Sequence, residues 1–162
     1  MSESPKQIPP FHTPDALFAS LLASDAAPIG TGTSRDAFAI DGHLDKVLKV
    51  AKGSNAGNWT EFVVFHALDN NTLFGRILSI SQSGKYLVME RLDDVPKGLQ
   101  LPEVPSWWTD RKRANFGLSC NKTIKLRDYA LITIGTGALV PMPSSDDVAD
   151  MARLISLMSQ KR

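Results

Sequence analysis

The alternation of apolar and polar positions predicts short helices and strands over the first 90 residues. Apolar residues at helical spacing predict a short helix over residues 13–24 and a second over 59–68. Four apolar runs predict strands, over residues 37–40, 46–50, 74–80 and 85–89. Asp41-Gly42 is typical of a tight turn and should join the first two strands into a hairpin.

The pattern changes after residue 90. Residues 91–105 contain three prolines and little periodicity, which predicts a linker. Residues 115–119 and 123–126 predict a small second hairpin. A final helix is expected to begin at Ser144–Asp147, with its apolar positions on one face at Val148, Met151, Ile155 and Met158. The whole order predicts an α+β fold, an antiparallel sheet with one helix followed by a smaller part.

Composition narrows the classes of function. The 162 residues are 43% hydrophobic and 22% charged, with a net charge of +1, which suits a soluble protein and argues against nucleic acid as a partner. There is no apolar run of the length that crosses a membrane, so no membrane span is expected. The single cysteine, Cys120, cannot form an internal disulfide, which favours the cytoplasm. Residues 1–12 are polar and rich in proline and are predicted to be a flexible arm.

The first candidate feature is Gly30-Thr31-Gly32, between the first predicted helix and the first hairpin. Glycines at such a position let backbone N–H groups approach the oxygens of a phosphate. An isolated Gly-x-Gly is more often a flexible turn, so this feature has weight only beside others.

The second candidate feature is Lys49 on a predicted strand, with Glu61 on the following helix. A buried ammonium group needs a counter-charge, and a carboxylate from a packed helix can hold it against phosphate oxygens. Its neighbours Leu48 and Val50 place Lys49 on the opposite face of the strand. The alternative is two separate, solvated surface charges.

The third candidate feature is Asp110, Asn115 and Asp128, which flank the second predicted hairpin. An acid that accepts a hydroxyl proton, and amide and carboxylate oxygens for Mg²⁺, are the groups that phosphoryl transfer requires. The hairpin would bring Asn115 and Asp128 to one place. The alternative is a polar turn with an acid at its edge.

The fourth candidate feature is Glu90, at the end of a predicted strand just before the linker. Backbone groups at this position could pair with the edge of a purine.

Together these features resemble the protein-kinase-like superfamily over residues 28–131. Gly30–Phe38 resembles its glycine-rich loop, Val47–Lys49 resembles Val-Ala-Ile-Lys of the third strand, and Glu61 resembles the helix-C glutamate. In the second half of the match, Asp110 and Asn115 have the spacing of the family's catalytic loop, and Lys112 resembles the lysine of that loop. Asp128-Tyr129-Ala130 stands in place of Asp-Phe-Gly.

The resemblance implies a two-lobed fold that binds ATP with Mg²⁺ or Mn²⁺. Residues 13–90 would form the nucleotide-binding lobe and residues 106–162 a much reduced second lobe. The resemblance implies catalytic roles for Lys49, Glu61, Asp110 and Lys112. It implies nucleotide binding by Gly30, Gly32, Ser34, Lys49 and Glu90, and metal binding by Asn115 and Asp128.

The chain also departs from the family pattern. Arg35 and Asp36 replace the third loop glycine, Trp108-Thr109 replaces His-Arg, and Ala130 replaces the glycine of Asp-Phe-Gly. After Asp128 only 34 residues remain, too few for the usual activation segment and peptide platform.

Two functions follow from the resemblance and its departures. One is an ATP-dependent phosphotransferase, which could modify a protein acceptor or itself. The other is an inactive, kinase-shaped module that binds another protein, such as a host protein if a bacteriophage encodes the chain. A second copy of the chain could cover the exposed reduced lobe, so a homodimer is a further option.

Overall fold

In the computed structural model, which describes residues 4–68, 72–133 and 139–140, the chain has an α+β fold. Two α-helices lie in this part, α1 (Asp15–Ala19) and α2 (Ala56–Ala67), together with a short 3-10 helix (Arg113–Asn115). Its strands are β1 (Gly30–Thr31), β2 (Arg35–Ile40), β3 (His43–Ala51), β4 (Ile77–Ile80), β5 (Tyr86–Glu90), β6 (Val104–Pro105), β7 (Phe116–Leu118), β8 (Ile124–Leu126) and β9 (Leu139–Val140). The predicted fold class, α+β with an antiparallel sheet, is confirmed. None of the described helices has the length and hydrophobicity of a membrane-spanning segment.

The main sheet has five strands in the order β1-β2-β3-β5-β4, and all neighbouring pairs are antiparallel. The hairpin between β2 and β3 turns at Asp41-Gly42 as predicted, with Gly42 at a φ of 78°. Lys49 lies in the central strand, opposite Ala37 of β2 and Leu87 of β5. The site lysine is therefore fixed by hydrogen-bonded strands on both sides.

The two faces of this sheet bury different side chains. Val47 belongs to a core that also contains Val64 of α2, whereas Leu48 packs with Phe18 of α1. Because side chains alternate along a strand, Lys49 shares the face of Val47 and points toward α2. The prediction that Lys49 lies on the face of the strand opposite to that of Leu48 is confirmed.

The smaller part of the chain packs directly against the sheet. The hairpin of β7 and β8 has the predicted position, and Phe74 and Gly75 beside β4 pair with Leu126 of β8. Trp108, completely buried, lies in the same core as residues of the main sheet. One continuous core therefore joins the two parts.

Three segments differ from their predicted form. Asp93, in the predicted linker, exchanges two backbone hydrogen bonds with Leu118, and β6 pairs with β9. Residues 4–12, predicted as a flexible arm, lie against the sheet, where Pro9 accepts a hydrogen bond from the Ser79 hydroxyl. Helix α1 ends at Ala19 rather than near Ser24. The predicted final helix from Ser144 lies outside the described residues.

The turn between β4 and β5 provides a test of packing around α2. Gly84 has a φ of 79°, and a Cβ there would collide with the indole of Trp59. Gly53 has a φ of 77° but has open space around it. We expect Gly84→Ala to lower the free energy of unfolding by about 1–3 kcal/mol more than Gly53→Ala, because only the first change overpacks. Urea denaturation of the two variants measures this, and equal losses would contradict the position of Trp59.

Candidate functional site

An open cleft of about 1070 Å³ lies between the main sheet and the smaller part of the chain. Nine of the ten residues that the sequence singles out border it: Gly30, Gly32, Ser34, Lys49, Glu90, Asp110, Lys112, Asn115 and Asp128. The tenth, Glu61, is completely buried behind Lys49. Residues from distant parts of the sequence therefore converge on one cavity.

The ion pair between Lys49 and Glu61 is present. The Lys49 ammonium lies 3.0 Å from Oε1 and 2.9 Å from Oε2 of Glu61, which is contributed by α2 twelve residues later. Lys49 is 8% exposed and Glu61 is fully buried. The alternative of two solvated surface charges is therefore wrong.

Lys49 has a third contact that its sequence position does not reveal. Its ammonium donates a hydrogen bond of 2.5 Å to the backbone carbonyl of Arg127, the residue before Asp128. An ammonium group has three N–H donors, and the two oxygens of Glu61 with this carbonyl provide three acceptors. A phosphate oxygen would therefore have to replace one of these acceptors in order to bind Lys49.

Arg35 is a site residue that the sequence analysis does not identify. Its guanidinium contacts Glu61 at 2.8 and 2.9 Å and Asp128 at 2.7 Å, and Arg35 itself is 7% exposed. Gly57, in the first turn of α2, lies next to it: a Cβ there would be 3.4 Å from Arg35 Nε, an ordinary van der Waals distance. The available signal is that Arg35 occupies the region of the missing third loop glycine.

The charges of this cluster shift the pKa values of its members. Burial by itself would raise the pKa of Glu61, but the positive charges of Lys49 and Arg35 outweigh it and lower the pKa to about 2. Burial lowers the pKa of Lys49, against the attraction of Glu61. Burial would also lower the pKa of Arg35, but Glu61 and Asp128 raise it overall. Glu61 is thus a fully charged carboxylate that two cations share.

Asp110 and its neighbours form a second group at the cleft. The Lys112 ammonium lies 3.0 Å from Asp110 Oδ1, and the Asn115 side chain donates a 2.6 Å hydrogen bond to the Asp110 backbone carbonyl. The backbone carbonyl of Asn115 accepts hydrogen bonds from the backbone amides of Arg127 and Asp128. The second hairpin therefore brings the backbones of Asn115 and Asp128 together, and the meeting of their side chains stays a prediction.

The side chains of Asn115 and Asp128 offer few oxygen atoms to a metal ion. No group of three or more His, Cys, Asp or Glu side chains that could hold a metal occurs within residues 4–68, 72–133 and 139–140. The Asp128 side chain is 45% exposed and pairs with Arg35, and the Asn115 side chain uses its NH2 group on the Asp110 backbone carbonyl. Mg²⁺ commonly uses one or two carboxylates together with substrate phosphates and water. A Mg²⁺ ion at these residues would therefore need a polyphosphate to supply further oxygens.

The glycine turn and the end of β5 form two edges of the cleft. Gly30, Gly32 and Ser34 are exposed, and the Gly32 amide donates to the carbonyl of Arg35 at 2.8 Å. The backbone amide of Glu90 donates to Arg76, and the amide of Arg91 donates to Asp45. The Glu90 and Arg91 amides are thus already used, and a purine at this edge would need other groups.

No protein-family model matches this chain, and a search of curated proteins finds no match. The geometry of the cleft and the chemistry of its residues are therefore the basis for inferring a function.

Proposed function

We propose that this protein binds a purine nucleotide with Mg²⁺ in the cleft and transfers its terminal phosphoryl group to a hydroxyl acceptor. The observation that carries the proposal is the buried ion pair of Lys49 and Glu61 at the base of the cleft. The glycine turn, Asp110, Asn115 and Asp128 border the same cavity. Phosphoryl transfer needs positioned charges more than covalent chemistry, and this is the set of groups that it needs.

Lys49 would bind the phosphates of the nucleotide. To do so its ammonium exchanges the Arg127 carbonyl for a phosphate oxygen and keeps Glu61 as its counter-charge. Besides Lys49, two residues hold Glu61 in place: Arg35 contacts both of its oxygens, and the Tyr129 amide donates to Oε1 at 3.0 Å, so Glu61 positions Lys49 firmly. A charge fixed before the reaction stabilises the transition state without reorganisation.

Asp110 would accept the proton of the acceptor hydroxyl. Lys112 beside it balances its charge and is placed to neutralise the transferring group. Asn115 and Asp128 would hold Mg²⁺, which supplies positive charge to the phosphate oxygens. The acceptor class is a protein serine or threonine, the chain itself included, or a small molecule. The homodimer stays a prediction.

The test is incubation of the purified protein with γ-labelled ATP and Mg²⁺ or Mn²⁺. We expect transfer of label or turnover of ATP, and a rise in melting temperature with nucleotide, since a ligand of the folded state stabilises it. Lys49→Met should abolish both signals. Lys46→Met is the matched control, because Lys46 lies on the same strand but pairs with Asp45 outside the cleft. No turnover by the unaltered protein would contradict the transfer reaction.

A second candidate function is a kinase-shaped module that binds another protein without catalysis. The specific observation in its favour is that the charged groups of the site are paired within the chain, Asp110 with Lys112 and Asp128 with Arg35. A protein with neither turnover nor a shift in melting temperature with nucleotide would favour this function. A shift without turnover would indicate a nucleotide-binding module.

A further inference from the structure

Arg35 connects the strand after the glycine turn to Asp128 on the other side of the cleft. A single nitrogen, Nη2, lies 2.9 Å from Glu61 Oε1 and 2.7 Å from Asp128 Oδ1. Glu61 is completely buried, whereas the side chain of Asp128 is 45% exposed. The contact with Asp128 is therefore the accessible end of this charge cluster.

The two carboxylates hold Arg35 with different strength. Separating Arg35 from Glu61 would break an ion pair between two buried side chains, which is costly. Asp128 can recover hydration when it leaves Arg35, and an ion pair with an exposed member contributes little to stability. Arg35 can therefore keep Glu61 and exchange its outer partner.

A polyphosphate is the anion that fits this exchange. A guanidinium presents parallel N–H donors that match phosphate oxygens. Arg35 borders the cleft, and its carbonyl accepts the hydrogen bond from Gly32 that closes the glycine turn. Phosphates bound at that turn would thus lie beside the residue that carries the guanidinium.

We propose, on the basis of the function proposed above, that Arg35 is a second phosphate-binding residue and exchanges Asp128 for phosphate oxygens when a polyphosphate enters. The exchange releases the carboxylate of Asp128 and makes it available to a divalent cation. The backbone amide of Asp128 donates to the backbone carbonyl of Asn115, and both residues border the cleft. The polyphosphate and the cation consequently bind cooperatively, because one movement of Arg35 completes both sites.

Binding of inorganic tripolyphosphate without metal tests the exchange, measured by calorimetry in the presence of a chelator. Arg35→Met should weaken binding and Asp128→Asn should tighten it, each by about fivefold or more, the lower end of usual coupling between sites. The opposite signs follow because the first variant removes the guanidinium and the second frees it. Arg91→Met and Asp93→Asn remove the same charges at the border of the same cleft and serve as controls.

Manganese binding without polyphosphate provides the second measurement. In the unaltered protein the guanidinium of Arg35 is paired with the carboxylate of Asp128 and competes with a metal ion for it. Arg35→Met should therefore bind Mn²⁺ about fivefold or more tightly than the unaltered protein does. This gain cannot come from a variant that fails to fold, and thermal melting verifies folding. Tripolyphosphate binding by Asp128→Asn that is no tighter than that of Asp93→Asn would overturn the proposal.

The two binding measurements test the exchange at Arg35 whether or not the protein transfers phosphate. Asp128→Asn is expected to lose phosphoryl transfer while it gains metal-free affinity for tripolyphosphate. If the unaltered protein transfers no phosphate, the function proposed above fails, but the opposite effects of the two variants still decide the exchange at Arg35.

Discussion

Replacement of Glu61 by alanine is expected to lower the free energy of unfolding by about 3–5 kcal/mol, since removal of one partner of a buried ion pair leaves an unpaired buried charge. Here two cations lose their shared carboxylate, because Lys49 and Arg35 both bind it. The Lys49 ammonium and the Arg35 guanidinium would then repel each other in the protein interior. Urea denaturation followed by circular dichroism measures the loss.

Two further variants distinguish the loss of the buried negative charge of Glu61 from the general effect of replacing a glutamate. Glu103→Ala removes an exposed glutamate and should change the free energy of unfolding by no more than about 0.5 kcal/mol. Glu61→Gln keeps the volume and one acceptor for the Tyr129 amide, so its loss should be smaller than that of Glu61→Ala. If Glu61→Ala lowers the free energy of unfolding by no more than Glu103→Ala does, the buried cluster of Lys49, Glu61 and Arg35 does not form in solution.

The same cluster predicts how stability depends on pH. The pKa of Glu61 is lowered from an ordinary 4.5 to about 2. For a carboxylate with a lowered pKa, the stabilisation is complete above the unfolded pKa and is lost as the pH falls toward the folded one. Between pH 4.5 and 2 the unaltered protein should therefore lose more stability than Glu61→Gln does.

Replacement of Asp110 by asparagine is expected to slow phosphoryl transfer by about 100-fold to 10,000-fold, the range for loss of a general base. The affinity for nucleotide should change little, because the proposed role of Asp110 is toward the acceptor. In the unaltered protein the Asp110 carboxylate pairs with the Lys112 ammonium. An asparagine at position 110 would hold this ammonium less firmly. Single-turnover kinetics with excess protein, together with thermal shifts by nucleotide, measure the two effects separately.

Asp93→Asn is the matched control for this experiment. Asp93 borders the same cleft and is exposed, so its replacement makes the same change in charge without touching the Asp110 group. Equal transfer rates for Asp110→Asn and the unaltered protein would remove Asp110 from the reaction. An equal loss in Asp93→Asn would mean that the charge of the cleft, rather than the position of Asp110, sets the rate.

Sequence reasoning succeeds where local pattern dictates the contact. The strand containing Lys49 and the helix containing Glu61 each follow from apolar spacing, and a buried lysine needs a carboxylate. The hairpin that brings Asn115 and Asp128 together likewise joins residues only thirteen positions apart. In both cases a short piece of chain limits where the side chains can lie.

Long-range packing explains what the sequence analysis does not identify. Arg35 reaches Asp128 across 93 positions, and the Lys49 ammonium reaches the Arg127 carbonyl across 78. Residues 91–105 have little periodicity and were predicted to be a linker, yet Asp93 pairs with Leu118. Such pairings depend on how separate elements dock, and no local spacing encodes them.

Apolar spacing along the chain is enough to predict the α+β class, the main strands and α2, and it identifies Lys49 and Glu61 as a candidate pair. Only the folded chain shows that this pair forms, that Arg35 joins it, that a guanidinium holds Asp128, and that Lys49 has its three donors satisfied. Apolar periodicity fixes which face of an element is buried. The partner of a buried charge is fixed only when the two parts of the chain close on one core.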